Sequence, residues 1–171
     1  MHENEKKKAK LTNVLSYEPY LLDCEFLIDE DVKMVLENFN IAEHYLYEAR
    51  VCFKDQALKY WMFHIPHFEY DVIDFKRSVF YSGPRTRKEY AQVNDLNEYQ
   101  SVRNQKQGSL MPVRLALNEK FDKTLDLFSL RIGGVFVSER LRDELLKCVF
   151  TGVDFTPAFA DLPDVITLIQ E

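Results

Sequence analysis

Cysteine is scarce and unpaired in this 171-residue sequence: Cys24, Cys52 and Cys148 are odd in number, far apart and in no CxxC arrangement. That spacing fits neither a disulfide framework nor a zinc knuckle. Their apolar or strand-like flanks suit small buried hydrophobes in a reducing cytosol. Five Gly and six Pro are too few for a fibrous or disordered chain. No apolar run approaches the roughly 20 residues that span a bilayer. The charged stretch Met1 to Lys10 also lacks the apolar core of a secretory signal. The expectation is a cytoplasmic protein without a membrane partner.

Signatures of chemistry are missing too. The chain has no GxxxxGK[ST] phosphate loop, no GxGxxG turn, no GxSxG elbow, no HExxH and no EF-hand loop. Nor is there a clustered basic face of the kind phosphate contacts need, which argues against a nucleic-acid partner. Formal net charge is −6, and it is unevenly spread. Residues 16–50 carry nine acids against two bases, and 138–171 carry seven against three. Residues 54–131 carry ten acids against thirteen bases. An acidic pair of ends around a mildly basic middle suits attraction to a basic protein, beside the plainer role of keeping a small protein soluble.

What is abundant is apolar and aromatic material. Hydrophobic residues make up 46% of the chain, with thirteen Phe and nine Tyr, enough for a core without disulfides or a structural metal. Residues 1–12 read as a disordered tail and 13–171 as one domain. A strand is expected over 21–28. After it, Asp29, Glu30 and Asp31 precede Val32, Val35, Leu36 and Phe39, a spacing that predicts a helix with acids at its positive end. Strands follow over 45–53, 60–65 and 72–81, with Trp61, Phe63 and Ile65 alternating against Tyr60, Met62 and His64. Both faces are rather apolar, so the sheet is expected to be covered on each side, at least locally. Residues 82–109 are polar and read as a loop insertion, although Tyr90, Val93 and Leu96 fit a short helix.

Strands are also expected over 110–117 and 125–132, then Val135 to Val137 after the Gly133-Gly134 turn. Ser138 is placed to cap a helix over 139–148 whose apolar side is Leu141, Leu145, Leu146 and Val149, with Arg140 facing water. Gly152 ends or turns that segment before Val153 to Phe155. The predicted class is α+β: a mostly antiparallel sheet packed against a few helices.

Candidate reactive groups have ordinary explanations. His64 and His67 form an H-x-x-H, but Pro66 breaks a helix between them and a strand would point them apart, so no metal site is expected. Ser138 is accounted for as a cap without invoking a triad. Catalytic, cofactor and metal residues are therefore expected to be none. The acids Asp29, Glu30 and Asp31, with Asp161 and Asp164 near the C-terminus, are the candidates for contact with a basic partner.

Two segments carry a resemblance. The first is Tyr60 to Ile65 (YWMFHI) followed by Val72 to Ser78 (VIDFKRS). The second is Val137 to Leu145 (VSERLRDEL) followed by Thr151 to Phe155 (TGVDF). They resemble immunity protein family eleven of bacterial polymorphic-toxin systems, first catalogued as a domain of unknown function. Its aromatic strand is followed by an Asp, a basic residue and a Ser, and its closing helix begins at a Val-Ser pair and ends at a Gly. The resemblance implies a cytosolic antidote that binds and occludes a cognate protein toxin. It transfers no catalytic residue, and Asp74, Ser78, Ser138 and Gly152 fall in it as architectural positions. Two other functions compete: a regulatory or scaffold module whose 82–109 segment is ordered by a partner, and a hydrolase-type enzyme acting through His64, His67 or paired carboxylates.

Overall fold

Alternating side chains and a handful of helix caps set the architecture. The computed structural model describes residues 10–16, 25–84, 87–106, 110–158 and 165–170, with the backbone alone at Ser16, Glu25 and 165–170. Strands β1 (Val14–Ser16), β2 (Glu25–Ile28), β3 (Tyr45–Phe53) and β4 (Gln56–His64) form one antiparallel sheet in the order β1-β2-β4-β3. The expected strand over 21–28 is present from Glu25, its first four residues lying outside the described set. Helix α1 (Glu30–Leu36) begins at Asp29, whose carboxylate accepts the Val32 N–H at 3.0 Å. It lays Val32 and Leu36 onto Phe26, Ile28 and Phe63 in the core.

The face of the first sheet opposite α1 is covered locally: Tyr60, on that face, is 4% exposed and its hydroxyl reaches the Thr12 carbonyl. Opposite α1, Tyr45 and Tyr47 are exposed while Leu27 and Met62 are half-buried, because these residues occupy the other parity of paired strands. Cover on both sides, expected at least locally, holds at Tyr60 and not at Tyr45 and Tyr47.

The second sheet is β6-β5-β7, built from β5 (Ile73–Ser82), β6 (Glu89–Ala91) and β7 (Met111–Leu117). Helix α2 (Leu96–Gln105) lies between β6 and β7 in sequence. Much of the predicted polar loop is therefore regular structure. Asp95 caps α2 by accepting Glu98 N–H at 2.9 Å, and the Glu98 carboxylate accepts Asn94 N–H at 2.7 Å. This reciprocal capping fixes the helix start. Val93 and Tyr99 are 1% and 3% exposed, and Tyr99 packs its ring against Phe75 and Phe80 at 5.5 and 5.0 Å. Leu96 and Val102, three residues to either side of Tyr99, are partly buried against the same cluster and complete the apolar side of α2.

Strand β5 is bulged, and Ser78 holds the bulge. Asp74 pairs with Ala116 and Val79 with Arg114, so four residues of β5 face one of β7. The buried Ser78 hydroxyl donates to the Asp74 carbonyl at 2.7 Å and accepts Ala116 N–H at 3.0 Å, replacing the missing ladder bond. The Asp74 side chain accepts Arg77 N–H at 3.2 Å within the same turn. Replacing Ser78 by alanine strands a buried N–H and is expected to cost about 1–3 kcal/mol. A lowered urea midpoint at constant m-value is the check; an unchanged midpoint would mean the bulge does not need the hydroxyl.

The third sheet has the order β10-β11-β9-β8, from β8 (Leu127–Leu130), β9 (Gly134–Ser138), β10 (Val153–Pro157) and β11 (Val165–Gln170). Its β11 lies between β9 and β10, so the C-terminal stretch that contains Ile166 supplies a central strand rather than a flank. Helix α3 (Glu139–Lys147) starts at Ser138, whose hydroxyl accepts Leu141 N–H at 3.1 Å. Leu141 and Leu145 are buried, but Leu146 and Val149 are 57% and 79% exposed, contrary to the sequence reading. Val149 lies beyond the cap residue Cys148 at φ 56, so this valine, not Gly152, makes the left-handed turn that ends the helix. Cys52 and Cys148 are exposed, not buried: one lies on edge strand β3 and the other closes α3; Cys24 is outside the described residues.

One apolar cluster joins all three sheets, running from Phe26 and Phe63 through Phe128 and Phe136 to Phe75 and Phe80. The fold is α+β, with antiparallel sheets packed against helices. Thr12, placed by sequence in the tail, is tied to this unit through its carbonyl, which accepts the Tyr60 hydroxyl at 2.7 Å; residues 1–9 lie outside the described set. No helix among the described residues is long and apolar enough to cross a membrane.

Candidate protein-binding surface

Three of the five acids singled out by sequence lie together at the start of α1. Asp29 is engaged as the helix cap and also accepts the Asn13 side-chain amide at 2.7 Å. Glu30 accepts Trp61 Nε1–H at 2.8 Å and is paired with Lys33 at 3.4 Å and Lys59 at 3.8 Å. The Trp61 hydrogen bond, followed by the two lysines, holds its carboxyl below the usual glutamate range. Asp31 is exposed and makes no ion pair within the described residues. Asp161 and Asp164 lie outside the described residues.

Trp61 is the feature that sequence reading did not single out as functional. Its ring is half-buried, with Lys33 Nζ 5.0 Å and Lys59 Nζ 4.4 Å from the centroid. Two cation–π contacts and the hydrogen bond to Glu30 fix the indole in one orientation. Strand alternation put Trp61 on the same face as Phe63, but its lysine neighbours come from α1 and from two residues earlier on β4. Only the second of these is legible locally.

Beside it, α1 and the first sheet enclose a cleft of about 260 Å³ with Leu36, Phe39, Leu46 and Phe63 at its base and Glu37 and His44 at its rim. That volume is below the roughly 300–1,000 Å³ of small-molecule pockets and suits one large side chain. From residue 29 to residue 48 the chain carries six acids and one lysine, so the rim of this surface is acidic.

His64 stacks on Tyr45 at 6.0 Å, whereas His67 shares a 2.8 Å hydrogen bond with Ser129, which is fully buried. Two open clefts flank the β5 bulge, of about 430 and 500 Å³. Their carboxylates have local duties: Asp71 pairs with Lys120 at 3.3 Å, Asp74 braces the bulge, and Asp95 caps α2. Among the described residues no group of three His, Cys, Asp or Glu is placed to hold a metal ion.

A second polar centre, also missed from sequence, sits between α1, β8 and α3. Asp126 is 4% exposed; it accepts Asn40 N–H at 2.9 Å, the Ser138 hydroxyl at 2.6 Å and the Arg140 guanidinium. Burial pushes its carboxyl up, but Arg140, Ser138 and Asn40 together outweigh this and hold it below the usual aspartate range. Arg140 is exposed, as expected, and its guanidinium also lies over the Phe39 ring at 4.9 Å. A lone acid in the apolar run Leu125 to Leu130 is the sequence signal that marks such a group.

Compared with family models, with curated proteins and with solved structures, the chain gives no match.

Proposed function

We propose that this protein is an immunity protein, which binds a cognate bacterial toxin and neutralises it by covering a surface the toxin needs. The observation that carries the reading is Trp61, held rigidly between Lys33 and Lys59 at the border of an acidic helix and a side-chain-sized cleft. A preorganised aromatic anchor inside a charged rim is the arrangement in which binding energy concentrates at protein interfaces. The acidic rim favours a basic partner and speeds its encounter. The toxin assignment rests on the resemblance of the Tyr60 to Ser78 and Val137 to Phe155 segments. The alternative of a module ordered by its partner is weakened because residues 87–106 fold into β6 and α2 within the chain's own core.

Co-expression with the reading frame adjacent to its gene tests the proposal. Wild type is expected to restore growth to cells making that product. Trp61→Ala is expected to weaken binding about 30-fold or more, the scale of an interface hot spot. Asp31→Lys, which breaks no ion pair among the described residues, is expected to slow association and weaken binding more at low salt. A neighbour that is harmless alone, or that kills despite this chain, sinks the reading.

A further inference from the structure

The edge strand β3 points to a partner other than a toxin. It is nine residues long and pairs with β4 along its whole length, and among the described residues no strand pairs with its other side. Such an edge offers a row of backbone donors and acceptors to another strand. Its sequence, Tyr-Leu-Tyr-Glu-Ala-Arg-Val-Cys-Phe, is complementary to itself when run antiparallel about Ala49. In that register Glu48 stands opposite the partner's Arg50, Tyr47 opposite the partner's Val51, and Tyr45 opposite the partner's Phe53. Opposite charges, an aromatic with a β-branched residue, and two aromatics are the pairings that stabilise adjacent antiparallel strands.

We infer that two copies of this chain associate through β3, joining their first sheets into one continuous eight-stranded antiparallel sheet about a two-fold axis at Ala49. The register is selected by charge. Sliding it two residues one way sets Glu48 against the partner's Glu48, and two the other way sets Arg50 against the partner's Arg50. Both place like charges face to face.

Arg50 supplies an independent reason. Within the chain it lies directly across from Lys59, a like charge, and Lys59 is itself shared between Glu30 and Glu48 at 3.8 and 4.0 Å. No ion pair among the described residues satisfies Arg50, although it is exposed in the middle of a strand. The partner's Glu48 provides the missing acid. Facing residues of equal parity share a sheet face, so both copies present α1 and Trp61 on the same side of the joined sheet. The Tyr45 and Tyr47 rows become continuous on the other.

Sedimentation equilibrium of the full chain, with a charge-swap series, tests this. Wild type is expected to dimerise reversibly. Glu48→Arg alone and Arg50→Glu alone each create two like-charge pairs and are expected to raise the dimer dissociation constant tenfold or more. The double variant Glu48→Arg/Arg50→Glu exchanges the charges and is expected to return it to within about threefold of wild type. Circular dichroism checks that each variant is folded. Hydrogen exchange on the unaltered chain gives a second reading, with β3 amides expected to slow as concentration rises into the dimer range. A wild type that stays monomeric at hundreds of micromolar overturns the inference. So does a dimer that ignores the single swaps, or one whose β3 amides exchange as fast as in the monomer, since association then uses another surface.

Discussion

Replacing Gly152 by alanine is expected to lower the free energy of unfolding by roughly 3–5 kcal/mol, the sum of backbone strain and overlap with fixed atoms. Gly152 has φ +89, and a Cβ built on it falls 2.0 Å from the Val14 carbonyl oxygen and 2.7 Å from Thr12 Oγ1. Neither neighbour is free to give way. Val14 N–H donates to the Thr151 carbonyl at 3.1 Å, and Thr151 N–H donates to the Asn13 side chain at 2.9 Å, so 12–14 and 151–152 clasp each other. Gly134 is the control, because it also has positive φ (+94) but nothing within 4 Å of its Cβ. Gly134→Ala therefore carries the backbone term alone, about 1–2 kcal/mol. Urea unfolding of the two variants separates the causes. Equal losses would mean that the contact with β1 contributes nothing.

The second large effect is expected at Asp126. Asp126→Asn keeps the shape but turns an amide NH₂ towards donors from Asn40, Ser138 and Arg140, at least one of which must lose its acceptor. Arg140 stays in contact with water, so the cost is that of the lost charge-assisted hydrogen bonds of one buried carboxylate, roughly 2–3 kcal/mol at neutral pH. The pH dependence follows from the sign of the shift. The folded carboxyl titrates lower than the unfolded one, so its contribution is complete above the unfolded value near 3.9. It is lost as pH falls through the lower, folded value. The stability gap between wild type and Asp126→Asn is thus expected to be constant from pH 7 to about 5 and to narrow below about 4. A gap independent of pH down to 3 would show that the carboxylate charge is not what the site uses.

Elements with a strong period or a clear cap were legible in the sequence. The helix after Asp29, the hairpin strands around Trp61 and the Ser138 cap all follow from local spacing and local hydrogen bonds. The segment 87–106 was less legible, because α2 has only one buried side chain, Tyr99, flanked by the partly buried Leu96 and Val102. Its start is set by Asp95 accepting Glu98 N–H and Glu98 accepting Asn94 N–H. The Asp95-x-x-Glu98 spacing was the signal available. Exposure of Leu146, Val149 and Tyr47 depends on which face the rest of the chain covers, and no window of sequence contains that. The same limit hid the candidate surface. Asp29, Glu30 and Asp31 were visible as acids, but two of them are engaged by Asn13 and Trp61, and the lysine clamp on the indole forms only once α1 docks on β4.

The central claim is that this surface binds and silences a toxin, and calorimetry paired with an activity assay tests it most directly. The purified chain would be titrated into the purified product of the adjacent reading frame while that product's own damaging activity is followed. The account predicts saturation at one product molecule per chain, a Kd of roughly 10⁻⁷ M or tighter, activity falling in step with occupancy, and Trp61→Ala shifting both curves together. Binding that leaves the activity intact, or no binding to a product that is demonstrably toxic, would contradict it.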